Sequence, residues 1–330
     1  MKKSIFVLGL ILFLSSCGGE SSNDTVDTDT DAENANANAN ANGSITDNEV
    51  EISIDSVVFV DPEFESCVLN IANQNGWTNT SQVTKIECRS LDITSAIGVE
   101  RFTDLVHLDL YYNKLTSIEL NNNSALTYLS LAGNNLSSID VSNNKALTFL
   151  ELGYFSGNNI TDIDVRNNTL LETLYLNHNM ITNIDLSKNL LLSKLHLGDN
   201  QLVEIDISNN SALVSLDLFT NDFVSLDVSN NTLLTYLRVT RSELTQIDIS
   251  KNLVLDYVVL NDNELDIIDV SHNPEITQLI LNRNNITSLD LSNNKILNRL
   301  EIESNPLDSA TCSYLNSLSD ITVKLRCNLR

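Results

Sequence analysis

Tyr175, His196 and Asp217 stand 21 residues apart in turn, and a phenol, an imidazole and a carboxylate in that order are the parts of an acid–base relay. If successive 21-residue units stack, the three groups fall in one column and could hydrogen-bond in a line. No nucleophile, free thiol or repeated metal-ligand set accompanies them, so the expectation is a chain that is not an enzyme. A second column is purely acidic. Asp140, Asp164, Asp185, Asp206, Asp227, Asp248, Asp269 and Asp290 recur at one position, with Glu119 ahead of them. Carboxylates at strand spacing repel one another, and calcium, which takes carboxylate oxygens, is the one metal this column suggests. The competing reading is that each Asp bonds a nearby hydroxyl or backbone amide, helped by the Ser two residues on. That reading is preferred, because calcium-binding repeats gather several carboxylates and glycines in one turn, and no cofactor is expected.

The frame that would position these columns shows in the asparagines: Asn113, Asn134, Asn158, Asn179, Asn200, Asn221, Asn263, Asn284 and Asn305 recur at 21 residues. The exceptions are a three-residue insertion before Asn158 and a Ser242 in place of one Asn. One unit reads Leu126-x-x-Leu129-x-Leu131-x-x-Asn134-x-Leu136-x-x-Ile139-Asp140-Val141-Ser142-x-Asn144. From about Ile86 to Leu307 this resembles the leucine-rich repeat family, and more narrowly a bacterial subclass called IRREKO, in which LxxLxLxxNx alternates with LxxLDLxxNxx. Asn123, Asn144, Asn168, Asn189, Asn210, Asn231, Asn252, Asn273 and Asn294 supply the second half. The residues carry the same message without the family. Apolar and polar positions alternate over Leu-x-Leu and Ile-Asp-Val with the two-residue period of a half-buried strand. Each Asn follows where the chain turns inward and leaves backbone groups for its amide to satisfy. The fold expected is therefore a mainly β solenoid, a leucine-rich repeat right-handed coil stack with strands on both sides, two internal Asn ladders and disulfide-stapled terminal caps.

The ends read differently. Lys2 and Lys3 precede an apolar run from Ile5 to Leu14, too short to cross a bilayer, and Leu14-Ser15-Ser16-Cys17 looks like a bacterial lipobox. Residues 1–16 are then a lipoprotein signal peptide, with Cys17 lipidated and holding the chain to the membrane by acyl chains. Gly18 at the next position favours the outer membrane of a bacterial cell envelope. Residues 17–49, with Asp24, Asp27, Asp29, Asp31 and an alternating Ala-Asn tract, have too few large apolar groups to fold and form a disordered acidic linker. Residues 50–85 form an N-terminal cap, 86–307 the solenoid and 308–330 a C-terminal cap. Pro62 to Ala72 should be a helix capped by Asp61, and a helix followed by a strand should close the other end. Cys67, Cys88, Cys312 and Cys327 all lie outside the regular coils. Three pairings are formally available, and Cys67 with Cys88 and Cys312 with Cys327 is preferred, because a stack of coils holds its two ends beyond disulfide reach.

Charge narrows the partner. The chain has 44 acidic and 19 basic residues, a net of −25, which disfavours nucleic acid. The outward positions around the two Leu of LxL vary from coil to coil while the core stays fixed. They collect Tyr111, Tyr128, Phe149, Tyr154, Phe155, Tyr175, His196, Phe219, Tyr236 and Tyr257, large groups that bury area with few rotatable bonds. The insertion, Gly153-Tyr154-Phe155-Ser156-Gly157, should bulge two rings out of this wall, and further on Arg238, Arg241, Arg283 and Arg299 make the same face more basic. The expected function is a monomeric, non-enzymatic recognition scaffold of the cell envelope that binds a protein or peptide on this face, in adhesion for instance. The alternative is a carbohydrate-binding module of a glycan-processing system using the aromatic wall.

Overall fold

Each Leu-x-Leu segment pairs in parallel with its equivalent in the next coil, 21 residues on in the regular coils and 24 across the insertion, so the repeat becomes a ladder. In the computed structural model, which describes residues 51–318 and 321–324, one parallel sheet runs in strict sequence order through twelve strands. They are β1 (Lys85–Glu87), β2 (His107–Asp109), β3 (Tyr128–Ser130), β4 (Phe149–Gly153), β5 (Thr173–Leu176), β6 (Lys194–His196), β7 (Ser215–Asp217), β8 (Tyr236–Arg238), β9 (Tyr257–Val259), β10 (Gln278–Ile280), β11 (Arg299–Glu301) and β12 (Thr322–Lys324). Register is set by the buried middle residue: Leu108, Leu129, Leu150, Leu174, Leu195, Leu216 and Leu237 face one another from coil to coil, all fully buried. A one-residue slip would turn every one of them to solvent. The chain divides into Met1–Glu49 and Val50–Arg330. The expected signal peptide, lipidated Cys17 and linker fall within the first unit's residue range and, like Cys327, lie outside the described residues.

Two files of asparagine lock the coils together. In the first, Asn134 Nδ2 donates to Leu131 O in its own coil (2.9 Å) and to Leu110 O in the preceding one (3.0 Å), while its Oδ1 accepts from Leu115 N (3.0 Å). In the second, Asn144 Nδ2 donates to Leu120 O (3.0 Å) and Asn123 O (2.8 Å).

The expectation of strands on both sides is corrected by the structure. Ile139, Asp140 and Val141, and their equivalents in the other coils, form no strand among the described residues. The backbone there bonds within its own coil, Asn144 N to Val141 O (3.0 Å) and Leu147 N to Asn144 O (3.1 Å), and Asp140 Oδ1 accepts from Ser142 N (2.9 Å). On that side the cross-coil bonding falls to the Asn amides instead.

At the start of the stack, α1 (Pro62–Asn75) is N-capped by Asp61, whose Oδ1 accepts from Glu63 N and Phe64 N, and is ended by Gly76 in the left-handed region. Phe64, Val68 and Ala72 are its buried face, and a Cys67–Cys88 disulfide ties it to the chain just beyond β1. At the far end, α2 (Ser309–Asn316) is capped by Asp308, which accepts from Thr311 N at 2.6 Å. Cys312 on α2 is disulfide-bonded.

Candidate functional site

Two outward columns run the length of the sheet. The first residues of successive strands give His107, Tyr128, Phe149, Thr173, Lys194, Ser215, Tyr236 and Tyr257. The third give Asp109, Ser130, Glu151, Tyr175, His196, Asp217, Arg238 and Val259. Rings stack along the first column, His107 on Tyr128 at 4.0 Å and Tyr128 on Phe149 at 4.4 Å, both nearly parallel. The stack then changes columns. Phe149 meets Tyr175 edge-on at 5.7 Å, and Tyr175 stacks on His196 at 4.6 Å.

The crossing is made where the insertion sits. The register of β4 shifts between Glu151 and Gly153, and the extra residues carry Tyr154 over Tyr175 (4.8 Å) and His196 (5.7 Å). Phe155 stands 79% exposed beside it. The bulge lies tight on the next coil. A Cβ on Gly157 would come within 1.4 Å of His178 O, and one on Gly153 within 1.8 Å of Asn177 O. Only glycine fits at these two approaches.

Tyr175, His196 and Asp217 share a column but form no relay. Tyr175 and His196 meet ring to ring, His196 Nε2 pairs with Ser215 Oγ (3.0 Å), and Asp217 faces Arg238 Nη1 (3.4 Å) and accepts from Phe219 N (3.3 Å). The 92% burial implied by an exposure of 8% for His196, reinforced by Lys194 and Arg238, pushes its pKa down to about 4. The ring is therefore neutral at physiological pH, and its Nδ1 is buried with no hydrogen-bond partner. Burial raises the Asp217 carboxyl against the pull of Arg238, and raises Glu151, which accepts from Ser130 Oγ at 2.7 Å.

Beyond the bulge, Tyr154, Phe155, His196, Phe219, Tyr236 and Arg238 line one opening of about 410 Å³. A second, of about 370 Å³, shares Phe219, Tyr236 and Arg238 and adds Arg241, Tyr257, Asp262 and Arg283. Tyr236 and Tyr257 stack at 5.3 Å, and the Arg238 guanidinium lies 4.3 Å over the Phe219 ring. Of the ten aromatic and histidine positions singled out in sequence, Tyr154, Phe155, His196, Phe219, Tyr236 and Tyr257 thus meet around adjoining openings. Tyr128, Phe149 and Tyr175 form the wall leading to them. Tyr111 is set apart, packed on Tyr112 at 5.9 Å. Sequence reasoning missed Ser215, Asn177 and Asp262. It also missed a column of left-handed residues just ahead of the first Asn file, with His178, Thr220, Arg241 and Asp262 at φ of 57°, 52°, 54° and 60°.

The acidic column is exposed and self-satisfied. Each Asp from Asp140 to Asp290 accepts from the backbone N–H two residues on, at 2.8 to 3.0 Å. The Ser142 hydroxyl and amide hold Asp140 below the usual carboxylate range, and Arg166 pulls Asp164 down to about 2. Among the described residues, the one trio of metal-ligating groups within 4.8 Å of each other is Glu87, His107 and Asp109. Two cations already stand on its carboxylates, Arg89 at 2.6 Å from Asp109 and Lys85 at 3.2 Å from Glu87, so it is an ion-pair cluster. No described helix is long and apolar enough to cross a membrane.

This coil stack, with its Asn files and varied sheet face, is a leucine-rich repeat fold. Bacterial leucine-rich repeat proteins are among its structural neighbours. The functional domain of InlJ from Listeria monocytogenes superposes with a TM-score of 0.72 at 30% identity, over 78% of this chain and 57% of that one. An internalin (inlF) from the same organism gives 0.66 at 23% identity, over 84% of this chain and 91% of that one. YopM, a leucine-rich effector of Yersinia pestis, gives 0.63 at 18%, over 76% and 68%. This chain spans little more than half of the InlJ domain. That domain is described as including a cysteine ladder, whereas in this chain no cysteine falls between Cys88 and Cys312. The LVIVD repeat family matches two short stretches, residues 197–216 and 255–282, both within ordinary coils. No curated protein matches the chain.

Proposed function

We propose that the chain is a non-enzymatic recognition scaffold of the bacterial envelope, tethered through lipid at Cys17 to the outer membrane. It binds a protein or peptide partner on the outer face of the sheet, in adhesion for instance. The observation that carries this reading is the bulge at Tyr154 and Phe155. It interrupts an otherwise regular ladder, is held by two glycines that admit no side chain, and places a ring that is 79% exposed over a cleft. A departure from the repeat that sets an exposed ring on a rigid frame supports contact with a partner. The likeness to leucine-rich repeat proteins supports a binding scaffold by association of fold, and the aromatic stack beside polar His196 and Ser215 keeps glycan binding as the second reading.

The test exploits the repeat itself. Deleting Tyr154, Phe155 and Ser156 leaves Leu152-Gly153-Gly157-Asn158, the spacing of Leu131-Ala132-Gly133-Asn134 one coil earlier. The deletion should therefore fold with an unchanged or higher Tm. The unlipidated wild-type chain should retain a defined protein from the native envelope that the deletion loses. Equal retention by both would remove the bulge from the account, and retention on a glycan array in place of any protein would favour the second reading.

A further inference from the structure

Within a molecule of net charge −25, one opening on the sheet face is locally cationic. Arg238, Arg241 and Arg283 line it against a single acidic lining residue, Asp262. Arg283 engages Asp262, with Nη2 2.7 Å from Oδ2. Arg241 is exposed, and it helps Arg283 hold the Asp262 carboxyl below its usual range without a direct ion-pair contact. Arg238 lies over Phe219 and only 3.4 Å from Asp217. The three guanidiniums come from β8 and from two left-handed turns, Arg241 and Arg283 both at φ 54°. A long side chain held there carries strain that Gly or Asn would avoid. The stacked Tyr236 and Tyr257 rings form one wall beside them.

We propose that this opening is a carboxylate-reading pocket: Arg241, with Arg238 and Arg283 beside it, clamps an Asp or Glu side chain of a peptide segment of the partner, while the flanking side chain of that segment enters the cleft under Tyr154 and Phe155. The planar fork of arginine matches a carboxylate in two parallel hydrogen bonds. The two openings share Phe219, Tyr236 and Arg238, so one short segment spans both. Because the chain as a whole repels anions, the acid recognised is a single residue in a neutral or basic partner, not an acidic tract. This inference rests on the reading of the sheet face as a protein-binding surface.

The experiment is selection from a random hexapeptide display library on the intact wild-type chain, in parallel with Arg241→Asn/Arg283→Gln and with Arg299→Gln as a control. Asn is at ease in the left-handed region and both substituted side chains are exposed, so Tm should fall only slightly, by what the lost Arg283–Asp262 pair contributes at the surface. Peptides retained by wild type and by the control should carry Asp or Glu at a fixed offset from an aromatic or aliphatic residue, and the double variant should lose at least tenfold of that enrichment. Peptides selected without an acidic preference, or with the same preference on the double variant, would overturn the carboxylate pocket and leave the peptide-binding surface standing. Retention of no peptide at all by wild type would overturn the surface and the pocket together.

Discussion

At the scale of single residues, the two asparagine files do different amounts of work. Asn200 of the first file accepts from Ile181 N (3.0 Å) and donates to Leu176 O (3.0 Å) and Leu197 O (2.9 Å). Asn210 of the second donates to Leu186 O (3.2 Å) and Asn189 O (2.9 Å), while its Oδ1, like that of every other Asn in its file, is buried without a partner. Unpairing a buried backbone group costs about 1–3 kcal/mol. Asn200→Ala, which strands an N–H as well as two carbonyls, should therefore lower stability more than Asn210→Ala, and both should lose at least about 2 kcal/mol. Urea titration of the two variants checks the order; a larger loss for Asn210→Ala would show that its file is held by something other than its amide nitrogen. These positions were legible in the sequence because a repeated amide at a turn has one obvious use. The left-handed column was not, since positive φ announces itself in sequence through Gly, and here it is taken by Tyr112, His178, Thr220 and Arg241.

At the scale of elements, the strand that formed and the one that did not had the same alternation. Leu-x-Leu became a ladder strand, whereas Ile-Asp-Val did not: its backbone bonds within its own coil, as Asn144 N does to Val141 O and Asn210 N to Ile207 O, and not to the next coil. Periodicity reports which face is buried and is silent on whether the backbone pairs sideways. The insertion was visible as a break in the count, but its crossing of the aromatic stack from one column to the other was not, because a bulge re-aims side chains in a way that spacing does not encode. The same geometry makes a sharp prediction. Gly157→Ala puts a Cβ against His178 O, backbone that cannot swing aside as a side chain would, so the bulge must lift. The variant should lose about 1–3 kcal/mol and lose partner binding with it, while Phe155→Ala should lose binding alone. A Gly157→Ala chain that melts with wild type would mean that the bulge rests loosely on the coil beneath.

At the scale of the whole described body, each coil touches only its neighbours, so stability is close to a sum of coil terms and unfolding starts where a term is weakest. The exposed end of such a stack is its vulnerable point, and at the first coil it is covered by α1, whose Phe64, Val68 and Ala72 are buried and whose Cys67 is bonded to Cys88 across 21 residues. Closing a loop of that length removes about 3 kcal/mol of chain entropy from the unfolded state. Cys67→Ala/Cys88→Ala should accordingly free α1 first and then the coils carrying β1 and β2. The central coils around β6 to β8, which sit between intact neighbours on both sides, should keep their protection. Hydrogen exchange resolved along the chain reads this directly: protection lost as a gradient from the N-terminal cap inward is the expected result. A uniform loss over all coils would instead make the stack one cooperative unit, in which case a substitution at the cap would also weaken the aromatic and arginine face by lowering the population of the folded whole.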